Sequence, residues 1–184
     1  MNEKKAIGLV EFKSIAKGLI AADSIIKTAN VEIIEATVLC PGKYIILIAG
    51  DISSVQSAVE NGINNFSDNV IDSFILANVH DNVFPALNGT TPVNNLQALG
   101  IIETFSVASS IVAADTAAKA AVVELLEIRI ARGMGGKSFV LMTGDVGAVT
   151  AAVSAGATSV KEDGFLVNTA IIPNPDPKLW EMTV

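Results

Sequence analysis

The stretch AADSIIKTANVEIIE (residues 21–35) recurs as AADTAAKAAVVELLE (residues 113–127), and this recurrence decides how the chain is read. Around it, AIGLVEFKSIA from Ala6 lies on ALGIIETFSVA from Ala98 at the same displacement of 92 residues, and thirteen of the thirty positions from Ala6 to Glu35 are identical. A two-residue insertion then lengthens the displacement to 94, pairing Gly42-Lys43 with Gly136-Lys137, Gly50-Asp51 with Gly144-Asp145, and Gly62 with Gly156. Self-similarity at a fixed period identifies a tandem duplication before any element is assigned. The segment between the copies, HDNVFPALNGTTPVNNLQ (residues 80–97), is rich in Asn, Pro, Thr and Gly and reads as a connection.

Each copy gives the same order of elements. In the first, residues 7–12 form a strand. Residues 14–29 carry apolar side chains at Ile15, Leu19, Ala22 and Ile26, the spacing of a helix with Ser14 as N-cap. Residues 31–39 and 44–49 are two further strands joined by a turn at Cys40-Pro41-Gly42. Asp51 and Ser53 open a second helix over 54–64, and residues 72–79 give the last strand. Strand, helix, strand, strand, helix, strand is the order of the ferredoxin-like split βαβ unit. The expected fold is therefore α+β, two such units in tandem, with residues 1–88 as the first domain, 89–97 as linker and 98–184 as the second domain.

Bulk composition narrows the function classes. With 184 residues and 51% hydrophobic side chains, the chain has ample material for a core. No apolar run approaches the roughly 20 residues needed to span a bilayer. The N-terminal MNEKKAIGLVEF lacks the apolar stretch of a signal peptide. A net charge of −7 and few aromatic residues argue against nucleic-acid binding, which calls for a basic face and stacking platforms. The single cysteine excludes an internal disulfide and suits a reducing compartment.

That cysteine, Cys40, stands on a Pro-Gly turn directly before an apolar strand, TVLCPGKYIILIAGD (residues 37–51). The equivalent turn of the second copy, RGMGGKS (residues 132–138), has no sulfur. Taken alone, a lone cysteine is most often a small, inert apolar side chain. ARGMGGKS also fits a loose phosphate-loop pattern, but a strand rather than a helix follows it, so the amides of a helix N-terminus are missing and nucleotide hydrolysis is not expected. His80, the only histidine, is assigned to the surface or to a turn hydrogen bond, and Ser14 and Ser106 to helix capping. No paired carboxylates, His/Cys cluster or nucleophile triad stands out, so an enzyme is not expected.

AIGLVE, AADSIIKTANVEII, the Gly-Lys turn and GDISSVQSAVENG, repeated in the second copy, closely resemble the shell-protein domain of bacterial microcompartments (the BMC domain). Two unpermuted copies match its trimer-forming, tandem-domain class. The resemblance implies a pseudohexameric homotrimer that tiles a shell facet together with other shell proteins, in the microcompartment shell in the cytoplasm. It implies a central pore lined by Cys40, Pro41, Gly42, Gly133, Met134, Gly135 and Gly136. TVLCPGKY is similar to the cluster-bearing branch of the class, which implies an iron–sulfur cluster of 4Fe-4S type held by Cys40 from three subunits, for electron transfer across the shell or pore gating. An encapsulated or cytosolic redox enzyme would be its partner. The alternative is a metal-free trimer whose pore passes small metabolites or cofactors. Lys27 and Lys119 match the family's edge lysine and are the candidates for lattice contacts. The arginine that often follows the final strand is absent from both copies, which have His80-Asp81 and Pro173-Asn174-Pro175 there.

Overall fold

Strand β1 (Ala6–Phe12) enters a helix because Ser14 caps it, its side chain accepting from the Lys17 amide at 3.4 Å. In this computed structural model, residues 6–92 and 95–183 are described, with 182–183 described by backbone alone. The charged start of the N-terminal segment (residues 1–5) and positions 93–94 of the linker lie outside the described residues. The chain divides into two compact units between Val79 and His80.

In the first unit β1 is followed by α1 (Ile15–Thr28), β2 (Glu32–Leu39), β3 (Lys43–Gly50), α2 (Ile52–Phe66) and β4 (Val70–Ala77). The four strands form one antiparallel sheet in the order β2-β3-β1-β4. The continuous apolar run of β3 is explained by its central position, where both faces are buried. Gly8 lets the sheet press on α2, since a Cβ there would stand 2.6 Å from Val59 and 2.7 Å from Val55.

The side of α1 that meets the sheet is its small side. Gly18, Ala21, Ala22 and Ile25 are buried, and a Cβ on Gly18 would fall 2.6 Å from the Tyr44 ring. The stripe expected from helical spacing runs differently: Ala22 is buried, but Ile15, Leu19 and Ile26 are 38%, 55% and 42% exposed. Close approach of backbone to sheet selected the small residues, and the large apolar ones were left on the outer side.

The second unit repeats this architecture with β5 (Ala98–Thr104), α4 (Val107–Ala120), β6 (Glu124–Arg129), β7 (Ser138–Gly144), α5 (Val146–Lys161) and β8 (Leu166–Ile172), in sheet order β6-β7-β5-β8. Register fixes the equivalences to the end of each copy: Gly8 pairs with Ile75 and Gly100 with Ile171, so Ile75 and Ile171 occupy the same place. Two further elements were not expected. Within the segment read as a connection, residues 83–88 form a short helix, α3 (Val83–Asn88), with Val83 and Ala86 buried. The C-terminus forms α6 (Pro177–Thr183), whose Trp180 packs with Leu99, Leu126 and Leu141.

Candidate functional site: a duplicated turn

The turn between β2 and β3 is closed by the Gly42 amide donating to the Leu39 carbonyl at 2.8 Å, with a cis Cys40-Pro41 peptide at its tip. A cis proline in the third position is the mark of a type VI turn. Gly42 has φ 98°, a left-handed conformation in which a side chain would be strained. The result is a narrow tip. Pro41 and Gly42 are exposed, and Cys40 is a free thiol, half-exposed at the shoulder of the turn.

The matching turn joins β6 to β7 and carries the two-residue insertion. Gly133, Gly135 and Gly136 all have positive φ (70°, 63° and 88°), and the Lys137 amide donates to the Met134 carbonyl at 3.2 Å. Gly133 and Gly135 are exposed, while Met134 and Gly136 are half-buried. Each set of expected pore residues is thus gathered in one turn of its own unit: Cys40, Pro41 and Gly42 in the first, Gly133 to Gly136 in the second.

The lysine that closes each turn is anchored in the same way. Lys43 Nζ lies 2.8 Å from Glu11 Oε1, and Lys137 Nζ lies 2.5 Å from Glu103 Oε1. Glu11 and Glu103 are equivalent in the duplication and sit on the central strands β1 and β5. These partly buried pairs tie the base of each turn to the middle of its sheet and neutralise the lysine beside it. The sequence reading missed both glutamates. The signal was present, since glutamate and lysine recur together at equivalent positions, but antiparallel register is needed to see that they meet. At the second turn Arg129 adds two bonds to Glu127, 2.6 and 2.7 Å long, and lies over the Phe139 ring at 5.2 Å.

The other expected positions divide between the copies. Lys27 is mostly exposed and forms an i,i+4 pair with exposed Asp23 at 2.6 Å. Lys119 forms the same pair with Asp115, but that carboxylate is buried and also accepts the His80 backbone amide at 2.8 Å. His80 makes a turn hydrogen bond, Nδ1 accepting from the Asn82 amide at 3.3 Å. Strand β7 begins directly after the glycine turn, so the helix that a phosphate loop needs is not there.

Helix capping also differs. Asp51 caps α2, its oxygens accepting from the Ser53 hydroxyl, the Ser54 hydroxyl and the Ser54 amide. The Ser53 hydroxyl, then the bonds from Ser54, hold the Asp51 carboxyl well below the usual carboxylate range. Asp145, its equivalent, makes no side-chain cap bond to α5. Among the described residues no group of three or more His, Cys, Asp or Glu could hold a metal ion, and no helix is long and apolar enough to cross a membrane.

Two split βαβ units in tandem, each with an anchored Gly-Lys turn, define the class: this chain belongs to the BMC-domain family of bacterial microcompartment shell proteins, whose domain model matches residues 6–79 and 98–175. It is similar over 180 residues, at 42% identity and 98% of both chains, to the bacterial microcompartment shell protein PduT of Citrobacter freundii. A crystal structure of a microcompartment protein from Desulfitobacterium hafniense superposes with a TM-score of 0.94 at 52% identity, covering 97% of this chain and 99% of that one. The bacterial microcompartment shell protein EutM of Escherichia coli strain K12 matches 87 residues at 38% identity, 47% of this chain and 88% of EutM. The chain is a structural shell protein of the PduT type, not an enzyme.

Proposed function

We propose that this chain assembles as a pseudohexameric homotrimer that tiles a shell facet, with the Cys40 turns and the Gly133 to Gly136 turns of three chains surrounding a central pore. In this reading the three Cys40 thiols together hold an iron–sulfur cluster of 4Fe-4S type, which supplies one-electron transfer across the shell or gates the pore. The observation that carries it is the setting of Cys40, the only cysteine in the chain, half-exposed on a proline-glycine turn whose base is anchored to the sheet. One chain offers one thiol and, among the described residues, no group of three or more His, Cys, Asp or Glu that could hold a metal, so the donor set fits a cluster only when three chains bring their turns together. Three thiolates held close repel one another, and a bound cation relieves that repulsion. With only three thiolates to hold it, such a cluster would need water or a small exogenous ligand to complete the usual four. The electron partner would be an encapsulated or cytosolic redox enzyme.

The test is anaerobic purification with iron and sulfide quantitation and an electron paramagnetic resonance spectrum, beside a Cys40→Ser variant. The expected result is about one cluster per three chains, lost in the variant while the oligomer persists. Intact trimers without iron after anaerobic reconstitution would overturn the cluster and leave a metal-free passage for small metabolites. Lys27 and Lys119 are the proposed lattice contacts, each paired with the aspartate four residues before it. Electron microscopy of assembled sheets should show order lost in Lys27→Ala and in Lys119→Ala, and sheets unchanged by either substitution would overturn that contact.

A further inference from the structure

The duplication places one element twice and gives it a docking site only once within the described contacts. Helices α3 and α6 are that element. Both start after the last strand of their copy, and each is introduced by a residue whose side chain accepts the amide two positions on: Asn82 N to His80 Nδ1 at 3.3 Å, and Lys178 N to Asp176 Oδ1 at 2.9 Å. In each the carbonyl of that residue also accepts the amide three positions on, from Val83 at 3.0 Å and from Leu179 at 2.9 Å. His80 is therefore equivalent to Asp176, and Val83 to Leu179.

The first of these elements is seated. Helix α3 packs on β6 and α4, Val83 is fully buried, and the His80 amide donates to buried Asp115. On α4 itself Val107, Ile111 and Ala118 are 5%, 0% and 8% exposed. The equivalent surface of the first copy is bare in the single chain. Ile15, Leu19 and Ile26 of α1 are 38%, 55% and 42% exposed, and Asp23, equivalent to Asp115, has a side chain 65% exposed. The second element shows the complementary state. Its Trp180 is buried against its own sheet, while the next-door Leu179 is 37% exposed.

We infer that α6 of one copy of this chain docks on α1 and β2 of a second copy, the Asp176 main-chain amide donating to Asp23 and Leu179 taking the place that Val83 takes on α4 and β6. This rests on the homo-oligomer reading given above and names the contact that makes it. The contact is heterologous, joining the end of one chain to the start of the next, the kind that generates a ring when the rotation closes. The Asp176 carboxylate does not oppose Asp23 directly, because it is turned back on the Lys178 amide of its own chain, as the His80 ring is turned back on Asn82.

The experiment combines native mass spectrometry with site-specific cross-linking in a Cys40→Ser background. Asp23→Cys together with Asp176→Cys is treated with a short bis-maleimide, beside each single variant, and the dissociation of Asp23→Ala oligomers is followed on dilution. Asp23 is exposed in the single chain, so its replacement spares the monomer fold. The expected result is covalent oligomers no larger than the native one from the double variant only, and dissociation of Asp23→Ala made roughly 10-fold or more easier, the scale of a lost hydrogen bond to a charged group. A native oligomer that neither cross-links between positions 23 and 176 nor weakens in Asp23→Ala would overturn the docking while leaving the homo-oligomer standing. A chain that is monomeric at every concentration would overturn both.

Discussion

Asp23 and Asp115 stand at the same place in two copies of one motif, Ala-Ala-Asp, and each pairs with the lysine four residues on, yet one is open to solvent and the other is buried. Sequence alone does not separate them. What separates them is continuity: the segment that leaves β4 runs directly onto α4 and β6 and delivers the His80 amide to Asp115. Asp23 precedes every such segment in the chain. A duplicated surface is satisfied within one molecule only where the chain brings the matching element to it, and the copy left over is the surface that the proposed docking would fill.

Removing the buried member of the pair should have the largest effect. Asp115→Ala leaves the His80 amide without its acceptor and Lys119 without its partner. Hydrogen bonds to charged groups set the loss at about 2–3 kcal/mol, discounted from a fully buried pair because Lys119 is partly exposed. Asp23→Ala removes only an exposed i,i+4 pair, about 0.5 kcal/mol or less. Urea unfolding of dissociated chains should show this asymmetry. Equal losses would mean that burial at Asp115 contributes nothing beyond the helix pair.

Gly62 and Gly156 sharpen the comparison at a second equivalent position. A Cβ on Gly156 would stand 2.6 Å from the Ala113 carbonyl oxygen, a backbone atom, and 2.7 Å from Ile102. On Gly62 the nearest atom is the Ile25 Cδ1 at 2.9 Å, the end of a side chain that can rotate away. Both lie inside helices, so alanine gains about 1 kcal/mol of helix propensity at each. Overpacking of about 1–3 kcal/mol outweighs that gain where backbone must move and roughly cancels it where a methyl group can. Gly156→Ala should therefore destabilise by about 1–2 kcal/mol and Gly62→Ala by close to nothing, measured by urea unfolding of each variant. A larger loss at Gly62 would show that Ile25 is locked in place.

The duplication made most of the fold legible, because two noisy copies of one pattern constrain each other: both Gly-Lys turns, both serine caps and all eight strands follow from it. The Cys40 turn was legible for the same reason, as the place where the copies differ. Short-range pattern failed where packing decides. Large apolar residues at helical spacing pointed to the wrong side of α1, since Gly18 and the alanines are what admit the sheet. Helices α3 and α6 were hidden by their brevity and by prolines at Pro85 and Pro177, which read as loop signals. The Glu11 to Lys43 and Glu103 to Lys137 anchors span distant strands, so only register joins them.

The smallest expected difference between the copies lies at the caps of α2 and α5, and pH exposes it. Asp51 accepts three hydrogen bonds from Ser53 and Ser54, whereas Asp145 is followed by Val146 and Gly147, which offer no hydroxyl. The bonds favour the ionised form and depress the Asp51 pKa in the folded state below its unfolded value of about 3.9. A depressed carboxylate stabilises the fold above the unfolded pKa and loses that contribution as the pH falls through the folded one. At neutral pH Asp51→Ala should therefore lower the unfolding midpoint more than Asp145→Ala does. Below about pH 4 the gap between wild type and Asp51→Ala should narrow steadily, because protons bind the unfolded carboxyl first. Thermal unfolding of the three proteins from pH 7 to pH 2 measures this directly. A gap that stays constant down to the acid limit would place the Asp51 contribution in hydrogen bonds indifferent to its charge, and the two caps would then differ in geometry alone.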